Sequence, residues 1–275
     1  MTATLANPIL HLLTADESAA YARDGYHIQR GLLSQQDVSE VLDAFMRLAK
    51  NGPIDGLSNV PLQTAATDPL AKFPRMMHPH IHPEHPETCR LALRWLLDRR
   101  IEAILSDLMG EPPVAAQSMF YFKPPGSRGQ DFHQDNFYLQ VAPTTCMAAW
   151  IALDAADNGN GGLMVARGSH RIATLKPTQA DMSVSMATEH VDIPAGCDVV
   201  APQLAAGDVL FFNGQLVHGS KPNTSADRFR RSLICHYLPS SSTQIGRGYH
   251  PALKRFDGKS ASFAAPKGEK GAEVH

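Results

Sequence analysis

Three side chains of the kinds that bind divalent metal ions stand at two places in the sequence. His133 and Asp135 are two residues apart, and His218 follows His133 by 85 residues (218 minus 133). In an extended segment, residues i and i+2 project to the same side, so an imidazole and a carboxylate at this spacing can bind one ion together. Two histidines and one carboxylate on one face of an octahedron leave three positions open, which non-heme Fe(II) oxygenases use for a bidentate co-substrate and dioxygen. The sequence therefore predicts an Fe(II) centre held by these three residues.

A structural zinc site is a poorer explanation of the same histidines. Such a site is usually closed by four ligands that include cysteine. The four cysteines lack the CxxC spacing of a zinc ribbon and stand at Cys89, Cys146, Cys197 and Cys235. Their scatter also argues against a disulfide framework, so we expect a reducing, cytoplasmic compartment.

A basic segment after His218 offers a partner for a carboxylate. It contains Arg228, Arg230 and Arg231 in a strand-like stretch. Arg230 and Ser232 would point to the same side of that strand, and a guanidinium can bind a carboxylate with two hydrogen bonds. This arrangement favours a dicarboxylate co-substrate.

Charge and hydropathy restrict the expected partners. The formal net charge of -2 gives no electrostatic reason to expect nucleic acid or an anionic membrane. No apolar run approaches the roughly 20 residues that a membrane helix needs. We expect a small-molecule substrate and neither nucleic acid nor membrane as partner, and the sequence does not determine the oligomeric state.

The 275 residues are expected to form one domain over positions 1–275. Its predicted parts are a helical region at about 14–110, a β-core at about 114–240 and a mobile tail at about 254–275. The tail is rich in Lys, Gly, Ser and Ala, which bury little surface.

Capping signals and apolar periodicity predict the helices. Thr14 with Glu17 forms a capping-box pattern ahead of a short helix, and Ser34 with Asp37 begins a second one. Residues 89–109 predict two more short helices, separated by a charged segment. These helices are expected to cover one sheet of the β-core.

Short β-rich runs separated by turn residues begin near position 114, as in a sandwich or barrel. The predicted strands are residues 117–123, 137–141, 146–153, 163–166, 199–204, 209–212 and 231–238.

Several short motifs carry a family resemblance. They are MFYFKPP at 119–125, FHQD at 132–135, AWIAL at 149–153, RGSH at 167–170, HGSKPN at 218–223 and FRRSL at 229–233. Together and in this order, the motifs resemble the phytanoyl-CoA dioxygenase (PhyH) family of Fe(II)- and 2-oxoglutarate-dependent oxygenases over most of the chain. The resemblance implies a mainly β fold with flanking helices, built on a double-stranded β-helix, or cupin-like jelly-roll.

The resemblance also implies the reaction and its cofactors. Fe(II), 2-oxoglutarate and O₂ would support hydroxylation of an unactivated C–H bond of a small-molecule metabolite, with release of succinate and CO₂. Asp135 argues against the halogenating relatives, in which a small residue at that position makes room for a halide.

For the co-substrate, the resemblance implies Arg230 as the carboxylate-binding arginine, with Ser232 or Ser220 beside it. The spacing from His218 is one residue longer than expected, which leaves Arg228 as a substitute. The other residues implied at this site are Met119, Trp150 and Arg75.

Residues for the prime substrate follow from strand alternation and from nearness to the metal segment. Gln117 and Tyr121 alternate with Met119, while Asn136 and Tyr138 follow Asp135. Four histidines also occur at positions 78–85, where the prolines indicate an irregular loop rather than a second metal site.

Two rival functions stay open at this point. A non-oxidative metal-dependent hydrolase or isomerase on a cupin-like barrel would share the metal ligands but would have no need of Arg230. A non-catalytic small-molecule binding protein would keep the jelly-roll without turnover. Formation of succinate distinguishes both from a dioxygenase.

Overall fold

A computed structural model of the chain describes residues 12–267. In that range the α-helices are α1 Ala15–Asp24, α2 Gln35–Leu48, α3 Pro69–Lys72, α4 Pro86–Leu96, α5 Arg99–Met109 and α6 Asp135–Leu139. The strands are β1 Tyr26–Gln29, β2 Ser58–Asn59, β3 Arg75–Met77, β4 Pro113–Tyr121, β5 Gln130–His133, β6 Met147–Ala152, β7 Leu163–Ala166, β8 Thr178–Gln179, β9 Glu189–His190, β10 Val199–Val200, β11 Val209–Asn213, β12 His218–Ser220 and β13 Ser232–Pro239. None of the described helices has the length and apolar character needed to cross a bilayer.

The predicted helices are confirmed, and local hydrogen bonds explain where they begin. The side chain of Thr14 accepts from the backbone of Glu17, and the Glu17 carboxylate accepts from the backbone of Thr14. Ser34 and Asp37 form the same reciprocal pair at the start of α2. Each box satisfies backbone donors that the first turn of a helix would leave unpaired.

Two antiparallel sheets form the β-core. The larger sheet has seven strands in the order β1-β11-β6-β13-β4-β3-β2, and the smaller has four in the order β10-β7-β12-β5. Alternate residues of the larger sheet pack on opposite sides: Ala149 and Ile151 of β6 contact the helical layer, whereas Trp150 belongs to the cluster between the sheets. The fold is therefore the expected jelly-roll core with helices covering one sheet.

The inner faces of the two sheets hold the polar residues of interest. β5 and β12 are neighbours in the smaller sheet and carry the two predicted metal-binding histidines. β4 and β13 are neighbours in the larger sheet: β4 carries Gln117, Met119 and Tyr121, and β13 begins at Ser232, two residues after Arg230.

One predicted strand needs correction. Residues 137–141 were expected to form a strand because of their apolar content. Residues 137–139 are instead helical, as the last three residues of α6. The Asn136 backbone N–H donates to the carbonyl of Gly214, which turns the chain into a helix directly after β5.

The first part of the tail, for which we expect mobility, contacts the core. Lys254 exchanges two backbone hydrogen bonds with Ala115, at 2.8 and 2.9 Å. Phe256 is buried against the helical layer of the core. The mobility of the tail stays a prediction, and residues 268–275 lie outside the described range.

Candidate active site

The three predicted metal-binding side chains meet at one point between the sheets. His133 ends β5 and His218 begins β12, and the two residues are direct partners in the antiparallel ladder. Asp135 reaches the same point because the chain turns from β5 into α6, not because a strand continues. Its Oδ1 lies 3.6 Å from Nε2 of each histidine. One ligand atom from each of the three residues lies within 4.8 Å of the others.

Backbone carbonyls fix both imidazole rings. Nδ1 of His133 lies 2.8 Å from the carbonyl of Asp131, and Nδ1 of His218 lies 2.9 Å from that of Leu216. Because a carbonyl oxygen only accepts, each Nδ1 carries the proton and each Nε2 presents its lone pair. Both partners are carbonyls two residues earlier in the chain, a relationship that sequence reasoning did not identify.

The protonation states of the triad suit a divalent cation. Burial, with help from the neighbouring His218, lowers the pKa of His133 to about 4. Burial opposes ionisation of Asp135, but the surrounding His218, His236 and His133 outweigh it and lower the pKa of this carboxyl. The low pKa values of His133 and Asp135 favour a neutral imidazole and an ionised carboxylate, which, with three ligand atoms on one side, fit an Fe(II) site that keeps positions open.

His236 is a site residue that sequence reasoning missed. It lies on β13, and its Nε2 is 3.0 Å from Oδ2 of Asp135. Because a carboxylate only accepts, His236 donates this bond and leaves Oδ1 of Asp135 for the metal. The alternation that places Arg230 and Ser232 on one side of a strand continues through Ile234 to His236. The same alternation could therefore have predicted that His236 faces the site.

Arg230 lies on the inner face, as alternation predicted. It is only 3% exposed, and its guanidinium lies 5.3 Å from the centre of the Trp150 ring. Its Nε donates to the carbonyl of Gly161 at 3.1 Å, and Nη1 donates to Oγ of Ser232 at 3.1 Å. Within residues 12–267 it forms no ion pair, and burial lowers its pKa to about 10.

Lys123 is a second buried cation that the sequence analysis did not single out. Its Nζ donates to Oγ of Ser220 at 2.7 Å. Burial, and then the nearby charge of Arg230, hold the pKa of Lys123 well below its usual value. In the described part of the chain it has no carboxylate partner. The guanidinium of Arg230 lines the cavity beside Ser220, and the buried amine of Lys123 lies behind Ser220, so this side of the cavity fits an incoming carboxylate.

The neighbouring arginines of the basic segment do not face this site. Arg228 is largely exposed and bonds Asp157 with both terminal nitrogens, at 2.7 and 3.0 Å. Arg231 forms an equivalent pair with Asp154. The structure thus resolves the choice between Arg228 and Arg230 in favour of Arg230 as the inward residue.

A cavity that is partly open to solvent joins the metal triad to Arg230. The predicted residues that line it are Arg75, Gln117, Met119, Tyr121, Tyr138, Trp150, Ser220 and Arg230. Ser232 does not line the cavity. Its Oγ accepts a hydrogen bond from the guanidinium of Arg230 and so helps to hold that group in place.

Asn136 does not reach the cavity. Its Oδ1 accepts from the backbone of Val141 and Cys146, and its Nδ2 donates to the carbonyl of Val141. The expectation that Asn136 contacts a substrate is therefore corrected: this side chain holds the loop after α6.

The histidine-rich loop is built into the protein interior rather than around an ion. His80 is buried, with Nδ1 2.6 Å from Oγ of Ser118 and Nε2 3.0 Å from the carbonyl of Ala252. Burial lowers its pKa to about 4. Among the described residues, His133, Asp135 and His218 are the one group of three or more potential ligands close enough to share a metal.

Comparison with known proteins identifies the family. Residues 21–232 match the family described as Phytanoyl-CoA dioxygenase (PhyH). The chain belongs to the PhyH family. The resemblance inferred from the sequence motifs is thereby confirmed.

Characterised PhyH relatives differ in how much of their length is matched. Ectoine dioxygenase from Sphingopyxis alaskensis is 27% identical over 229 residues, which cover 77% of this chain and 71% of that protein. Phytanoyl-CoA dioxygenase 1 from Oryza sativa subsp. japonica is 32% identical over 149 residues, which cover 52% of this chain and 51% of that protein. The chain thus spans about half the length of the rice relative.

Solved structures share the fold. The non-heme alpha ketoglutarate dependent carbocyclase SnoK from nogalamycin biosynthesis superposes with a TM-score of 0.65 at 23% identity, covering 84% of this chain and 86% of SnoK. EctD from S. alaskensis, solved with 2-oxoglutarate and 5-hydroxyectoine, gives a TM-score of 0.62 at 23% identity, covering 86% of this chain and 82% of EctD.

Proposed function

We propose that this PhyH-family chain is an Fe(II)- and 2-oxoglutarate-dependent dioxygenase that hydroxylates a C–H bond of a small-molecule metabolite and releases succinate and CO₂. The observation that carries the proposal is that one cavity contains both a three-ligand triad and the buried guanidinium of Arg230, which has no carboxylate partner among residues 12–267. The relatives named as dioxygenases and the neighbour solved with 2-oxoglutarate support it.

The metal site consists of His133, Asp135 and His218. Each histidine presents Nε2, and Asp135 presents Oδ1 while its other oxygen is held by His236. Bound Fe(II) supplies the activation of O₂ that couples decarboxylation of the co-substrate to hydroxylation. With all three ligand atoms on one side, these residues would leave room on a bound metal for the reactants.

The distal carboxylate of 2-oxoglutarate binds to Arg230 and Lys123, with Ser220 and Ser232 orienting those cations. An arriving carboxylate restores the charged form of Lys123, because a nearby opposite charge raises the pKa of an amine. Trp150 and Met119 form apolar walls of the cavity, which keep water from the reacting atoms.

We propose that residues 1–275 form one catalytic domain. The family match spans both the helical and the β regions, and Phe256 of the tail belongs to a core cluster with residues of both. A reducing, cytoplasmic location accords with the four cysteines, which are free.

The predicted effect of His236 tests the proposed metal geometry. A His236→Leu variant should bind Fe(II) roughly 10- to 100-fold more weakly, as is typical when a residue that holds a metal ligand is removed. His236→Gln should recover part of the affinity, since its amide can donate to Oδ2 of Asp135. Fe(II) affinity is measured by competition with a coloured chelator. Equal affinity in the leucine variant and the wild type would contradict the positioning role.

The reaction class is tested by anaerobic addition of Fe(II) and 2-oxoglutarate. We expect a weak visible charge-transfer band that requires both additions, and succinate formation once air is admitted. A folded protein that gives neither the band nor succinate would overturn the proposal. A hydrolase or isomerase would show its activity without forming succinate, and a binding protein would show none.

A further inference from the structure

The inward residues of β4 and β13 form three successive rows across the larger sheet. In the antiparallel register these rows are Tyr121 with Ser232, Met119 with Ile234, and Gln117 with His236. The first and last rows are four residues apart, which corresponds to roughly 13 Å along an antiparallel strand. Because Tyr121 and Gln117 both line the cavity, they mark two different ends of it, which we call the Tyr121 end and the Gln117 end.

The two arginines that line the cavity have their hydrogen-bond partners at the Tyr121 end. Nη1 of Arg75 donates to the hydroxyl of Tyr121 at 3.0 Å, and Nη1 of Arg230 donates to Oγ of Ser232 at 3.1 Å. A guanidinium is the side chain best suited to bind a carboxylate. Under the proposed function, the dianionic co-substrate therefore takes the Tyr121 end, and the Gln117 end is left to the prime substrate.

The Gln117 end is polar, but its lining offers no unused charge. Asp135, the one carboxylate among the described lining residues, is a proposed metal ligand and accepts from His236. Burial raises the pKa of Tyr138 and of Tyr249, so both phenols stay neutral. Glu189 lies outside the lining and accepts from the hydroxyl of Tyr138 at 3.0 Å. An ionic group buried at this end would lack a partner, whereas an uncharged polar group would not need one of opposite charge.

Gln117 brings an unused hydrogen-bond donor to this end. The residue is 1% exposed, and its Nε2 has no hydrogen-bond partner among the described residues. Nδ1 of its register partner His236 likewise has none within residues 12–267. A buried amide donor without a partner calls for an acceptor, and the oxygen of the same amide can accept in return. A ligand group that both accepts and donates would match this side chain.

We propose that Gln117 binds an uncharged polar group of the prime substrate, a carboxamide or a hydroxyl, beside the metal site. This inference rests on the proposed dioxygenase function and adds the chemical class of the substrate group. A carboxylate at this end would bury its charge without a cation. An ammonium group would have only Asp135, which the metal uses. Gln117 thus selects neutral substrates over charged ones of the same shape.

The test compares end groups of similar size on one carbon skeleton, with the full chain loaded with Fe(II) and 2-oxoglutarate. Straight-chain and cyclic carboxamides are matched with the carboxylates and isopropyl compounds, and alcohols with the primary amines and methyl compounds. Succinate formed above the rate without probe reports turnover, and titration of the charge-transfer band reports 2-oxoglutarate affinity separately. The proteins are wild type, Gln117→Met, Gln117→Asn and Gln36→Met, a control at an exposed glutamine of α2.

We expect carboxamides or alcohols to stimulate succinate formation, and their charged counterparts to do so at least about 10-fold less. Gln117→Met should lower kcat/KM for the active neutral probe by about 10-fold, as is typical when a buried polar group is left unpaired. It should lower kcat/KM for the matched hydrocarbon far less, so the preference for the polar probe disappears. Gln117→Asn should keep part of that preference because it retains the amide. Gln36→Met should match wild type, and 2-oxoglutarate affinity should stay near wild type in every variant.

Four results would overturn the inference while leaving the dioxygenase proposal intact. One is an equal loss for the polar and hydrocarbon probes in Gln117→Met, which would mean a purely structural role. Another is a larger effect of that variant on 2-oxoglutarate affinity than on the probes. The third is equal or better turnover with acids or amines. The fourth is a panel in which no neutral polar probe raises succinate above the rate without probe. Absence of the band and of succinate in the wild type would instead remove the dioxygenase proposal itself, and this inference with it.

Discussion

An Asp135→Ala variant should lose succinate formation almost completely, by much more than the roughly 10- to 100-fold typical of a residue that only holds a metal ligand. The substitution removes the one carboxylate among the three proposed ligands and leaves two imidazoles, which bring no negative charge to the metal. It also leaves Nε2 of His236 buried without its acceptor, which now lies 3.0 Å away. Iron content after desalting and succinate yield under saturating 2-oxoglutarate measure the effect.

The matched control for this variant is Asp198→Ala. Asp198 is 79% exposed and pairs with Arg167 at the surface, where an ion pair contributes about 0–1 kcal/mol to stability. We expect wild-type iron content and activity from it. If Asp135→Ala retained iron and at least a tenth of the wild-type rate, another residue would have to serve as the carboxylate ligand.

Period-two alternation explains why much of the site could be predicted from sequence. On β13 and the segment before it, Arg230, Ser232 and His236 all point inward, and on β4 Gln117 and Tyr121 do the same. Within a single strand, sequence position alone gives the side on which a residue lies. The metal-binding residues belong to two segments that are distant in sequence, β5 with the start of α6 and β12, and the family motifs supplied the link between them.

Contacts between strands were beyond sequence reasoning. His236 meets Asp135 from the opposite sheet, and Lys123 meets Ser220 across 97 positions of the chain. Neither pair has a local signature, because its geometry depends on how the two sheets pack. The helix at Asp135–Leu139 was mispredicted for a related reason, since a tertiary hydrogen bond to Gly214 overrides the local β preference of the aromatic residues.

An Arg230→Met variant should need far more 2-oxoglutarate for half-saturation, about 30-fold or more, which corresponds to about 2 kcal/mol or more for truncating one partner of a buried charge pair. The methionine keeps apolar contact with Trp150 but removes the guanidinium, so the distal carboxylate keeps only Lys123 as a cationic partner. Arg230→Lys should recover part of the affinity at most, because an ammonium cannot reproduce the planar fork. Titration of the charge-transfer band with 2-oxoglutarate measures each value.

Arg228 provides the control that makes this prediction decisive, because it is the alternative arginine that the spacing from His218 left open. It is 46% exposed and bound to Asp157, so Arg228→Gln should leave the 2-oxoglutarate requirement near that of wild type and cost about 1 kcal/mol of stability at most. Each variant changes one side chain and leaves the rest of the sequence unchanged. Thermal unfolding shows whether each variant is folded. A higher requirement in Arg228→Gln, together with an unchanged one in Arg230→Met, would mean that the co-substrate carboxylate binds outside the cavity. The triad and the buried cations would then serve separate ligands.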